Sequence, residues 1–332
     1  MTAGGAGRPI VVTGCPRSGT TWVGSTVGSS REVFYLYEPF NDEAPHPLDV
    51  PERYVYVDPA APADAIPDVS ALVAMGALRH RVRASARAVR LGTGFRAELP
   101  AHLAAHEAAT SPMRYLSARR TLVKDPLAFF AAEWLAARHD ALVVMMLRHP
   151  AGMISSYLKL GWPHEVDSLL RQPGLCERFT GPLESEIARF RAHPDDRLGA
   201  LILQWTIFAQ AAMVLREEHP DWLYLSHENV CGDPIPQFTA LFGYLGLEWT
   251  TAIERKVVAD STGGQVDPAQ HRQHALQRDS RAVAGAWRQR LDPHDADRIE
   301  AEAGPWWDRL SALAWAPPRP LPRPLPSALP AR

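Results

Sequence analysis

Lysine is almost missing from this 332-residue chain. Lys124, Lys159 and Lys256 are its only lysines, so 32 of the 35 basic residues are arginine. With abundant alanine and 30 prolines, that bias is the mark of GC-rich coding. Arginine enrichment therefore carries little meaning, whereas a lysine beside a motif carries more. Cysteine is scarce too. Cys15, Cys176 and Cys231 are odd in number and far apart, which excludes a disulfide framework and a cysteine metal cluster. A formal net charge of −2 leaves no basic field of the kind that attracts nucleic acid. No run approaches the roughly 18 apolar residues of a membrane span. The opening MTAGGAGRPIVVTG also lacks the apolar core of a signal peptide. These absences predict a soluble protein of a reducing, cytoplasmic compartment, with no nucleic-acid partner and no integral membrane association.

What is present is an alternation. Residues 9–13 (PIVVT), 33–37 (VFYLY), 121–123 (TLV), 141–147 (ALVVMML) and 222–225 (WLYL) are short apolar runs. Stretches 127–138, 150–160 and 200–218 have helical length and periodicity. Strand–helix alternation predicts an α/β fold, with a central parallel sheet covered by helices on both faces. A single domain over 9–316 is long enough to bury a substantial core. It lies between a flexible lead-in, 1–8, and a disordered proline-rich tail, 317–332. Two helical or irregular insertions, about 42–118 and 162–198, break the pattern and are candidate lids over an acceptor. The first contains an arginine-rich helix at 77–90, which either is solvated or faces an anionic membrane or sugar-lipid acceptor.

The first strand runs into Gly14-Cys15-Pro16-Arg17-Ser18-Gly19-Thr20-Thr21-Trp22. Strand, glycine-bounded loop and helix start aim successive backbone N–H groups at one spot and favour an anion there. The pattern departs from GxxxxGK[ST], because Thr20 stands where the nucleotide-hydrolase lysine belongs. That argues against ATP or GTP hydrolysis and against a P-loop small-molecule kinase. The segment PRSGTTW, 16–22, resembles the 5′-phosphosulfate loop of the sulfotransferases that use phosphoadenosine phosphosulfate (PAPS). The longer run 16–41 is similar to the carbohydrate branch of that family. The resemblance implies a P-loop-type fold and transfer of a sulfuryl group to a hydroxyl of a small-molecule, glycan or glycolipid acceptor. PAPS would be the cosubstrate and adenosine 3′,5′-bisphosphate (PAP) the product, with no metal required. A non-catalytic nucleotide-binding module is the other alternative.

Family members often carry lysine where Arg17 stands. An arginine fork keeps the charge but cannot protonate a leaving oxygen, which moves that role toward Lys124 in LVKDP. Arg148, at the carboxyl end of the fourth strand, and Ser156, eight residues on, resemble the family's 3′-phosphate pair. Glu38 follows the second strand in YEP, where the resemblance implies the base; partial burial would raise its pKa. Asp42, Glu43, His46 and His149 are weaker candidates, and Asp125 is placed to orient Lys124 or an acceptor hydroxyl. The implied set is Glu38, Lys124 and Arg17 for the chemistry. Arg17, Ser18, Gly19, Thr20, Thr21, Trp22, Arg148, Ser156 and Arg281 would hold the donor. Trp22 either stacks on adenine or packs in the core. Arg281 belongs to 279–287, whose Gly–x–Trp end resembles the segment closing over the 3′-phosphate; Arg278 is its alternative. His227-Glu228 read as architectural.

Overall fold

Mostly apolar residues fill five strands because both faces of the sheet are covered. The computed structural model describes residues 7–42, 47–69, 73, 118–263 and 279–312. Glu43, His46, the 77–90 stretch, Arg278 and the proline-rich tail lie outside the described residues. Strands β1 (Ile10–Gly14), β2 (Val33–Tyr37), β3 (Arg120–Lys124), β4 (Leu142–Leu147) and β5 (Leu223–Ser226) form one sheet in the order β2-β3-β1-β4-β5. All four neighbour pairs are parallel. Alternate side chains enter two cores: Ile10, Val12, Leu122, Val144 and Met146 go to one, and Val11, Val123, Val143, Met145 and Leu147 to the other. This is the burial expected of a parallel sheet between helical layers.

The helices are α1 (Thr20–Val27), α2 (Ala132–His139), α3 (Pro150–Leu160), α4 (Val166–Leu170), α5 (Pro173–Phe179), α6 (Glu184–Ala192) and α7 (Arg197–Glu218). They continue as α8 (His227–Gly232), α9 (Pro234–Leu245), α10 (Thr251–Thr262), α11 (Ser280–Gly285) and α12 (Pro293–Ala312). Three expectations change or sharpen. The helix expected over 127–138 begins as a 3₁₀ turn, Pro126–Ala131, because the Asp125 carboxylate takes the Leu127 N–H and tightens the entry. The 162–198 insertion, expected as helical or irregular, takes the helical form, with α4, α5 and α6, each nine residues or fewer. Finally, α7 is long and apolar enough to cross a membrane by length and composition, but 72% of its apolar window is buried inside the fold. It is the core helix of one layer.

Register decides where the strands stop. Lys124 lies opposite both Val12 and Tyr37, Gly14 opposite Met146, and Leu147 opposite Ser226. The residues that follow the strands, Cys15, Glu38, Asp125, Arg148 and His227, therefore share one rim, the carboxyl edge where open α/β sheets take ligands. The chain first leaves β1 toward β2 and later crosses it to β4, which opens a crevice at that rim.

Gly14 is the tightest point of this frame. Its φ is 153°, and a Cβ there would collide with the Met146 carbonyl oxygen. Because the obstacle is backbone of the neighbouring strand, it cannot step aside. Gly14→Ala is expected to lower unfolding free energy by about 3 kcal/mol, read from the urea midpoint at constant slope.

Candidate active site at the carboxyl rim of the sheet

The loop after β1 is shaped by two left-handed residues, Arg17 (φ 64°) and Gly19 (φ 90°). Gly19 caps α1; no side chain bonds to that helix start, and no acidic residue stands in its first turn. Trp22 N–H and Val23 N–H turn back to the Gly19 carbonyl, at 3.0 and 3.2 Å, so in the first turn it is the Thr20 and Thr21 N–H groups that remain for a ligand. Ser18 is buried, and its Oγ has no hydrogen-bond partner, as is also true of Arg148 Nε, Thr13 Oγ1 and Ser155 Oγ. Buried polar atoms are nearly always paired, so the unpartnered Ser18 Oγ in the loop and Arg148 Nε at the end of β4 are suited to an acceptor-rich anion. Thr20 is buried and Thr21 half-buried on the same turn.

The two anion motifs meet directly. Arg148 Nη1 donates to the Arg17 carbonyl at 2.6 Å, and Arg17 Nε donates to Ser156 Oγ at 2.9 Å. Burial lowers the Arg148 pKa to about 10; the Glu228 charge opposes the shift, and the Arg17 charge adds to it more weakly. Gly152, one turn into α3, gives Arg148 its room, since a Cβ there would sit 2.7 Å from Arg148 Nε.

At the neighbouring strand ends, Lys124 Nζ pairs with Glu38 Oε1. Lys124 is fully buried and Glu38 9% exposed. Glu38 has a left-handed backbone, φ 46°, and its N–H donates to the Lys124 carbonyl at 2.8 Å. Its other oxygen accepts from Asn41 Nδ2 at 2.9 Å. The Lys124 ammonium lies 4.2 Å from the centre of the Tyr37 ring. Burial, then the adjacent Glu38 charge and a hydrogen bond to it, push the Tyr37 phenol upward. Glu38 is therefore not simply a carboxylate in an apolar pocket, as partial burial alone suggests; it is surrounded by donors. Asp125 holds the same loop, accepting from Phe40 N at 2.6 Å and Leu127 N at 2.8 Å.

Other expected residues stand elsewhere. Trp22 meets Phe238 edge-on at 5.1 Å, with its Nε1 buried and unpartnered. Arg281 is exposed and donates to the Gly232 carbonyl at 3.0 Å, so it is not brought to the loop. Asp42 lies beside Arg53, at 3.6 Å. His149 caps α3 and stacks on Trp287 at 5.2 Å. Burial first, then Arg288 and Arg148, lower its pKa to about 4, so it is neutral at pH 7. His227 packs under the loop, where a Cβ on Gly19 would lie 3.0 Å from its Cδ2. Glu133, Glu218 and His219 bring three ligand atoms within 4.8 Å. Arg178 bridges the two carboxylates, which makes the group an ion-pair network.

Sequence reasoning missed the space-making glycines and Trp162. A Cβ on Gly24 would lie 2.5 Å from Lys124 Cγ, so this glycine is what admits the lysine past α1. A glycine inside a helical pattern was the available signal. Trp162, whose ring centre is 5.2 Å from Arg17 Cζ, had no local signal.

Fold and rim define an α/β protein of the P-loop type. Residues 9–251 match the sulfotransferase family, and the chain belongs to it. No curated protein matches the sequence. Among solved structures, the chain is similar to the sulfotransferase domain of the Synechococcus olefin synthase, with 14% identity, 90% of this chain and 95% of that one covered, and a TM-score of 0.42. A sulfotransferase from Mycobacterium avium is 14% identical over 92% of this chain and 77% of its own, with a TM-score of 0.41. A mouse sulfotransferase complexed with PAP is 11% identical over 92% and 88%, also with a TM-score of 0.41.

Asp125 makes one consequence of the rim measurable. Burial and then the Glu38 charge push its pKa from 3.8 up to about 7, against the two N–H donors and Lys124. The folded state therefore holds a proton that the unfolded chain releases, and stability falls as pH rises from about 4 to about 7. The difference in unfolding free energy between wild type and Asp125→Asn should decline across that window and level off above it, in denaturant titrations at four or more pH values.

Proposed function

We propose that this sulfotransferase takes its sulfuryl group from PAPS and delivers it to a hydroxyl of a small-molecule, glycan or glycolipid acceptor. The observation that carries the reading is the buried Lys124–Glu38 pair one strand away from an anion loop with unpartnered donors. In this assignment the N–H groups of the loop, Ser18, Thr20, Thr21 and Arg17 hold the 5′-phosphosulfate end. Arg148 and Ser156 hold the 3′-phosphate, the group that separates this donor from ATP. Trp22 borders the adenosine. Arg281 stays a candidate only if it leaves the Gly232 carbonyl.

Transfer breaks the bond between sulfur and the bridging oxygen of the 5′-phosphate and forms one between sulfur and the acceptor oxygen. Glu38 takes the acceptor's proton, and the departing bridging oxygen gains negative charge. Lys124 serves both changes. As Glu38 is neutralised, the ammonium loses its counter-charge while a new one develops on the bridging oxygen. Stabilising charge where it develops, in a site shielded from water, is where protein electrostatics act most strongly. The transferred group carries one negative charge, so the proposed chemistry needs no metal ion.

Three measurements test this. PAP should raise the thermal midpoint of the protein by several degrees, and ATP with Mg²⁺ should leave it unchanged; the reverse pattern would sink the assignment. Glu38→Gln should lower sulfuryl transfer by about 100-fold or more while PAP affinity stays within about threefold; near wild-type turnover removes Glu38 as the base. Arg148→Ala should weaken PAP binding by about 100-fold, the loss of a charge-assisted contact of roughly 2 to 3 kcal/mol.

A further inference from the structure

Arg17 is held at three points. Its carbonyl accepts from Arg148 at 2.6 Å, its Nε donates to Ser156 Oγ at 2.9 Å, and its guanidinium lies over the Trp162 ring at 5.2 Å. The Trp162 ring is itself fixed. Gly161 ends α3 in a left-handed conformation, φ 68°, which turns the chain back so that Trp162 N–H donates to the Tyr157 carbonyl at 3.2 Å. The Trp162 carbonyl accepts from Arg197 at 2.9 Å, and the indole meets the Tyr157 ring edge-on at 5.6 Å. Tyr157 is fully packed, bonded by Gln204 of α7 at 3.2 Å. A rigid indole thus stands beside the one charged side chain of the loop.

We infer that Trp162 is a positioning residue. With the Ser156 hydroxyl it forms a seat that fixes the direction of the Arg17 guanidinium toward the sulfuryl-bearing end of the donor. The inference rests on the PAPS reading for what Arg17 meets, but not for the seat itself. A planar guanidinium can lie flat on an indole and donate from Nε at the same time; an ammonium has one charged atom and cannot do both. The seat therefore suits arginine at this position, whereas a lysine could engage the ring or the hydroxyl but not both in this geometry. Arg17 needs such support, because a left-handed backbone at a residue with a long side chain is a strained arrangement, and a flexible side chain there has rotamer entropy to lose. Ser156 is not used up by the contact. A hydroxyl accepts from Arg17 Nε and still donates its own proton, so the same residue can reach the 3′-phosphate.

The test is a double-mutant cycle on the full chain, with PAP as the probe, in four proteins: wild type, Trp162→Leu, Arg17→Lys and the double variant. Trp162→Leu is expected to weaken PAP binding about tenfold. In the Arg17→Lys background the same substitution should change affinity by less than about twofold. Trp162→Phe, which keeps a ring under the guanidinium, should recover affinity to within about threefold of wild type. An equal loss in both backgrounds would overturn the inference, since Trp162 would then act without Arg17. So would no loss in the first background, or a Trp162→Phe variant as weak as Trp162→Leu. If wild type binds no PAP, the donor assignment fails, and urea midpoints of the same four proteins decide the seat. Non-additive midpoints uphold it, and additive ones overturn it.

Discussion

One ion pair sets the terms for the rest of the rim. Lys124 is fully buried, and an ammonium out of water is tolerable only with a charge partner and good geometry. Glu38 is that partner, and much of the surrounding structure exists to keep it there. The β2–β3 register ends both strands together. The left-handed turn at Glu38 directs its side chain back over the sheet, Asp125 ties down the loop through Phe40, and Gly24 leaves the channel through which the lysine passes. Such pairs contribute little net stability in most proteins. Retaining one here, at a ligand crevice, makes more sense as stored electrostatic potential than as glue.

The anion loop shows the same economy of parts. Its charged groups, Arg17 and Arg148, are not spread over a basic surface but are gathered from two strand ends by topology. Arg148 grips the Arg17 backbone. The loop is thus organised by the same side chain that the donor would recruit. This links the two ends of the donor through protein, not merely through the nucleotide.

How much of this could be read beforehand follows from where the information sits. Strand positions were legible within about a residue because continuous apolar runs bounded by glycine or charge mark buried parallel strands. That Glu38, Asp125 and Arg148 stand at strand ends was legible for the same reason, since those ends face the crevice in such folds. The helices α4, α5 and α6 were not. Each is short, and short helices owe their existence to tertiary packing more than to propensity. Trp162 and the roles of Gly24 and Gly152 were hidden too, because their meaning lies in what touches them across the fold. Arg281 is the opposite case: a motif-like position whose side chain donates to a backbone carbonyl of α8.

His149 ties the rim to the far end of the described chain. It caps α3, stacks on Trp287 and lies 3.4 Å from Glu300 of α12. The anion crevice is therefore bordered by segments separated by 150 residues or so of sequence. During synthesis, the loop after β1 emerges early, but the clasp behind β4 cannot close until α12 has left the ribosome. Ordering of the crevice, and with it any chance of ligand engagement by the nascent chain, is a late event in the life of each molecule.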